Sequence, residues 1–192
     1  MSLSFAMLLS IVCVNTENIL FSYDVAEHGI SPEPRSNPAM AVDSLGNFLY
    51  LFGGRSKCCF LDDLWTFDLS KLVWSLIYAQ SNCPEPRSNS QSFFRSKTQE
   101  FCIYSGNSDE FSFSDLWCFS THMHSWNKIN HFEKKISLIA KTRYLEYNEK
   151  EYLIVLPFGE SIAYIFNLLL YDWKIIFLNT PKITLENAMM EF

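Results

Sequence analysis

PEPRSN at Pro32–Asn37 and PEPRSN again at Pro84–Asn89 are one hexapeptide written twice, 52 positions apart. Adding 52 to other positions tests whether a whole unit is duplicated. Arg35 becomes Arg87, Gly54 becomes Gly106, Asp63-Leu64-Trp65 becomes Asp115-Leu116-Trp117, Phe67 becomes Phe119 and Trp74 becomes Trp126. The match runs without a gap from Pro32 to Ile77, and a period near 50 residues reads as a propeller blade or a similar repeat.

Each copy divides into four strand candidates. In the first, AMAV (Ala39–Val42) meets the turn signal DSLGN and is followed by FLYLF (Phe48–Phe52), two apolar runs about a Gly/Asn/Asp cluster. The second run ends in Gly53-Gly54, where the chain needs backbone angles or a close approach that a Cβ forbids. RSKCCFLD then reads as a loop before DLWTFDL and VWSLI. The second copy offers SFF, FCIY, DLWCF and SWNKI, with the glycine pair weakened to Ser105-Gly106. No stretch sustains a 3.6-residue period, so the expected class is all-β with almost no helix.

A third, degenerate copy keeps the apolar skeleton. Arg143–Tyr147 and Tyr152–Leu156 flank a hairpin signal, and IAYIFNLLLYDW closes on Trp173. With Trp173 set on Trp74, Tyr164 falls on Trp65, Phe166 on Phe67 and Asn167 on Asp68. At the other end, IVCVNTENILFS lies over LWTFDLSKLVWS, so residues 11–22 read as the last two strands of a preceding, partial blade. The expected division is therefore 1–31 for that partial blade, 32–83 and 84–136 for two full blades, 137–178 for the degenerate one, and 179–192 for a tail or the start of a further blade.

Pro34-Arg35, Gly53-Gly54, Asp63-Leu64-Trp65 and Trp74, repeated by Pro86-Arg87, Gly106, Asp115-Leu116-Trp117 and Trp126, resemble the kelch repeat. The resemblance implies a β-propeller of four-stranded antiparallel blades around a central axis. One departure is that the histidine often found three residues after the arginine is Pro38 and Ser90 here. Trp65, Trp74, Trp117 and Trp126 are expected to fill the wedges between sheets. Arg35 and Arg87, at fixed repeat positions, are read as structural, tying loop carbonyls or an acidic neighbour. Asp63 and Asp115 are expected to accept local backbone N–H bonds in turns. About three blades and part of another fall short of the usual four to eight, so the expected propeller is incomplete. The chain is therefore read as part of a larger ring, as a shortened gene product, or as one that closes by self-association.

Composition excludes some classes. Charged residues make up 19% and the net charge is -6, with no basic run to neutralise phosphates, so nucleic acid is not an expected partner. The apolar run SFAMLLSIVCV is too short for an ordinary membrane span and has neither a basic lead nor a small-x-small cleavage site. A cleaved leader would instead place the protein outside the cell as a carbohydrate-binding propeller. The six cysteines include no Cys-x-x-Cys pair. They read as reduced thiols of a cytoplasmic protein, although Cys102 and Cys118 are placed to face each other on neighbouring strands. Cys58 and Cys59 are adjacent, poor geometry for a common metal or an easy bridge.

Kelch-like copper oxidases of the galactose-oxidase type need tyrosines, histidines and a cysteine–tyrosine link converging on the axis. His28, His122, His124 and His131 do not offer that set, and His122-x-His124 lies where the chain turns. The expectation is no catalytic residue, no metal and no cofactor, and a module that binds a protein partner through loops of one face. RSKCCFLD and NSDEFSFS differ most between copies, so Arg55, Lys57 and Phe60 with Glu110, Phe111 and Phe113 form the candidate contact set.

Overall fold

The computed structural model describes residues 9–10, 22–23, 30–79, 82–129, 140–157 and 160–178, all in strands, turns or loops. Strands β1 (Leu9–Ser10) and β2 (Ser22–Tyr23) pair antiparallel, with Leu9 opposite Tyr23. The expected strands at 11–22 otherwise lie outside the described residues.

The first repeat forms β3 (Ala39–Val42), β4 (Phe48–Arg55), β5 (Phe60–Asp68) and β6 (Val73–Ile77). The second forms β7 (Gln91–Arg95), β8 (Glu100–Tyr104), β9 (Leu116–Ser120) and β10 (Ser125–Lys128). The third forms β11 (Ala140–Tyr147), β12 (Lys150–Pro157), β13 (Ile162–Asn167) and β14 (Asp172–Phe177). Each set is a four-stranded antiparallel meander, a blade, and the three blades make an incomplete kelch-type propeller. One boundary moves. RSKCCFLD is not a free loop, because Arg55 pairs with Phe60 and Gly54 with Leu61, leaving a hairpin tip of Ser56–Cys59. Two β strands that pair this far outward leave little chain for a loop.

Alternation along the second and third strands of each blade sorts side chains to two faces. In blade 2, Phe101, Ile103, Trp117, Phe119 and Trp126 pack with Tyr50, Phe52 and Leu64 of blade 1. Its opposite face, with Cys102, Tyr104, Leu116 and Cys118, packs with Leu153, Val155, Phe166 and Leu168 of blade 3. Trp65, Phe67 and Trp74 lie with Leu51 on the face of blade 1 turned away from blade 2. Blades 2 and 3 thus turn the aromatics of their third and fourth strands toward the blade before, and Trp65, Phe67 and Trp74 occupy the equivalent face of blade 1. Phe52 meets Trp126 edge-on at 5.1 Å, and Tyr50 stacks on Phe101 at 5.6 Å. Truncating a buried aromatic such as Trp126 costs about 3–5 kcal/mol.

The turn between third and fourth strands keeps one geometry in all three blades. Leu72, His124 and Tyr171 adopt φ of 57°, 50° and 54°, and their N–H groups donate to the carbonyls of Asp68, Ser120 and Asn167. Asp68 and Asn167 use their side-chain oxygens to accept from the amides two and three residues on, which explains an Asx residue there in blades 1 and 3.

The reduced-thiol expectation fails at one pair. Cys102 and Cys118 stand opposite each other in the β8–β9 ladder, both facing blade 3, and they form a disulfide. Cys58, Cys59 and Cys83 are free.

Candidate functional site

The hexapeptide that marks each repeat is a strap running across the end of a blade. In the second copy the backbone of Arg87 belongs to blade 1, since Gly54 N–H donates to the Arg87 carbonyl (2.8 Å) and Arg87 N–H donates to the Leu61 carbonyl (3.1 Å), while Ser88 exchanges backbone hydrogen bonds with Asn107 of blade 2. A Cβ on Gly53 would stand 2.6 Å from the Arg87 oxygen and 2.9 Å from the Leu61 oxygen, so only glycine lets the strap lie this close. The last letter of each hexapeptide, Asn37 and Asn89, sits at φ of 50° and 58°, a conformation asparagine tolerates well. Asn89 N–H donates to the Asn37 carbonyl, joining one strap to the other.

The side chain of Arg87 belongs to blade 2. It is 0% exposed and reaches Asp115 at 2.5 and 3.3 Å, the Ser105 carbonyl at 3.2 Å, and the carbonyl and carboxylate of Glu85 at 3.0 and 3.1 Å. All five guanidinium donors are engaged. Arg35 makes the corresponding fork to Asp63 and donates to the Gly53 carbonyl at 3.0 Å. The expectation that Asp63 and Asp115 hold turn amides is corrected. Their partners are the arginine and the indole N–H two residues on, from Trp65 at 2.6 Å and from Trp117 at 2.8 Å. Burial pushes the Asp115 carboxyl up, but Arg87, Trp117 and Lys128 outweigh it and hold the group below the ordinary aspartate value. Asp63 follows the same balance with Arg35 and Trp65.

Beside the strap lies an open concavity of about 1040 Å³, lined by Phe60 of blade 1, by Glu85 and Pro86, by residues 108–115, and by Lys128 and Ile129. Four of the six contact candidates therefore share one wall system: Phe60, Glu110, Phe111 and Phe113. Arg55 borders it, lying 5.0 Å over the Phe60 ring and 3.6 Å from Asp109 of the neighbouring blade. Lys57, at the hairpin tip, is not part of the lining. The two phenylalanines part company. Phe113 carries the Arg87 guanidinium 3.8 Å from its ring centre, whereas Phe111 is 62% exposed. Phe113 thus belongs as much to the strap as to the surface. Asp109, Glu85, Lys128 and Ile129 were missed from sequence. Glu85 alone carried a signal, as part of the repeated hexapeptide.

The other repeat markers sit as follows. Pro34 and Pro86 are exposed on the straps, and Gly106 has φ of 107° with the Ser88 carbonyl 2.9 Å from where its Cβ would stand. Trp173 is half-buried against Phe166 at 4.9 Å, in the apolar layer shared by blades 2 and 3. His122 and His124 lie in the Thr121–His124 turn, while His28 and His131 fall outside the described residues. Among the described residues, one group has metal-like spacing, Glu100 with Cys102 and Cys118, and its two sulfurs are bonded to each other.

Residues 7–154 match the family model described as the KLHDC2/KLHL20/DRC7 Kelch-repeats domain. Among curated proteins, the chain is similar to Acyl-CoA-binding domain-containing protein 4 of Arabidopsis thaliana, 44% identical over 59 residues, which cover 31% of this chain and 9% of that protein. It is similar to Kelch domain-containing protein 2 of Bos taurus, 29% identical over 118 residues, 62% of this chain and 28% of that one. It is also similar to N-(sulfonatooxy)prop-2-enimidothioate sulfolyase of Thlaspi arvense, 27% identical over 116 residues, 59% of this chain and 32% of the enzyme. The matches span from 9% to 32% of the length of these three relatives.

Proposed function

The chain belongs to the kelch-repeat family, and from that premise we propose that it is a non-catalytic protein-interaction module whose partner docks in the concavity beside the second strap. The observation that carries the reading is the exposure of Phe111 on a loop of the same face as the straps. A large aromatic held 62% exposed beside a concavity is a ready anchor for a partner's surface. The loop is positioned by rigid parts: Ser88 and Asn107 exchange backbone hydrogen bonds, and Ser108 N–H donates to the Phe111 carbonyl. Phe113 N–H donates to the Gly106 carbonyl at 2.9 Å. Two aspartates at the face are engaged in pairs, Asp115 with Arg87 and Asp109 with Arg55, which favours recognition over acid–base chemistry.

Phe111→Asp tests the reading in the endogenous full-length protein. The expected result is loss of the proteins that the wild type captures, with folding stability changed by no more than about 0.5 kcal/mol, as for an ordinary surface substitution. An unchanged set of captured proteins would move the contact surface elsewhere.

A further inference from the structure

The hairpin tip Ser56–Cys59 holds the sulfurs of Cys58 and Cys59 3.0 Å apart. In a strand, neighbouring side chains point to opposite faces. Here Lys57 and Cys58 lie in a bend, outside β4 and β5, and the bend swings both thiols to the same side. Ser56, itself buried, organises the tip. Its N–H donates to the Cys59 carbonyl at 2.8 Å, its hydroxyl lies 3.3 Å from the Cys58 sulfur and 3.6 Å from that of Cys59, and it accepts from both cysteine amides. Both thiols face solvent.

We propose that Cys58 and Cys59 form a vicinal dithiol that a hydroperoxide oxidises reversibly to a disulfide between adjacent residues. The Cys58 sulfur attacks the hydroperoxide oxygen and becomes a sulfenic acid as the O–O bond breaks and an alcohol, or water, departs. The Cys59 thiol then attacks the Cys58 sulfur, the S–O bond breaks, and the oxygen leaves as water with the thiol proton. Two thiols and one hydroperoxide thus give one disulfide, one alcohol and one water, the sulfurs losing two electrons to the O–O bond. Hydrogen bonds from Ser56, then from Cys59, lower the Cys58 thiol below its ordinary value and favour it as the attacking sulfur, although Glu33 opposes this. The sulfurs need to approach by about 1 Å more to reach a bond length of ~2.05 Å. Adjacent Cα atoms are ~3.8 Å apart, below the ~4.4–6.8 Å of ordinary disulfides, so the ring is strained and easily reduced again. The chemistry does not depend on whether the neighbouring concavity binds a protein.

Cys83 supplies the internal control, since it is exposed but burial and Asp62 push its thiol up. Trypsin separates the two sites, cutting after Lys57 and Lys71 to place Cys58 and Cys59 in one peptide and Cys83 in another. The full-length protein, treated with hydrogen peroxide and alkylated, is read by peptide mass. The expected product is the 58–71 peptide lacking two hydrogens, formed about tenfold faster than Cys83 is modified and restored by dithiothreitol. Ser56→Ala should slow its formation, and Cys58→Ser or Cys59→Ser should abolish it. Sulfinic acid or intermolecular disulfides at 58 and 59, equal reactivity at Cys83, or no reaction would each overturn the proposal.

Discussion

In blade 2, Trp117 donates to Asp115, and Asp115 receives Arg87; at the same places in blade 3 stand Tyr164 and Ile162, with no carboxylate to hold an arginine. Blade 3 nevertheless forms the same four-stranded ladder and keeps the same left-handed turn. Its polar anchor lies elsewhere. Arg95 of β7 reaches Glu151 of β12 at 2.7 and 3.2 Å, and Tyr144 of β11 donates to the same carboxylate at 2.7 Å. Glu151 is 0% exposed, and Glu100 shares the arginine at 2.7 Å. Burial pushes the Glu151 carboxyl up, and Arg95 and Tyr144 reverse that to hold it below the ordinary glutamate value. The difference teaches that the repeat's polar letters are not needed to build a blade. They fasten the chain segment between blades, and a buried arginine–glutamate pair can fasten the next blade in their absence.

The strongest way to break this comparison is to remove each arginine in turn. Arg87→Met strands Asp115, and Arg95→Met strands Glu151, and each should cost about 3–5 kcal/mol in denaturant unfolding. Adding Asp115→Asn to the first, or Glu151→Gln to the second, should recover part of the loss, because the cost lies largely in the charge left behind. If either arginine can be replaced without loss, that fastening is not structural.

Next in size is the disulfide that faces blade 3. Cys102 and Cys118 are separated by 16 residues, and closing a loop of that length contributes about 3 kcal/mol. Cys102→Ser with Cys118→Ser, or reduction, should lower the unfolding midpoint accordingly, and intact-mass measurement reports the bond directly.

Acid sharpens the comparison further, since both fastenings depend on ionised carboxylates. Asp115 and Glu151 have folded values below their unfolded ones. Their contribution is complete above the unfolded values of about 3.9 and 4.3 and is lost as pH falls through the depressed folded values. Stability measured against pH should fall more steeply in the wild type than in either arginine-to-methionine variant. The smallest effect belongs to what the blades share: Leu72→Gly relieves a left-handed leucine and should stabilise by up to about 1 kcal/mol, read as a shift in thermal midpoint.

Much of the fold was legible in the sequence because a period of 52 carries its own check: Trp117 and Trp126 must face what Trp65 and Trp74 face, and strand alternation does the rest. The strap was legible too, through Gly53-Gly54 and the hexapeptide. The fastening of blade 3 was not, since Arg95 and Glu151 lie 56 residues apart at positions the repeat does not mark. The split between Phe111 and Phe113 was equally hidden. Two phenylalanines one residue apart look alike until the position of the Arg87 guanidinium is known.

The central claim is that Arg87 of the second strap joins two blades, its backbone bonded to blade 1 and its side chain to blade 2. Native-state hydrogen exchange at Gly54, in the wild type and in Arg87→Met, tests this most directly. The Gly54 amide, bonded to the Arg87 carbonyl, should lose most of its protection in the variant while the amides bonded between β4 and β5 open only with the blade as a whole. Undiminished protection of Gly54 would contradict the account, because the strap would then hold to blade 1 without its side chain in blade 2.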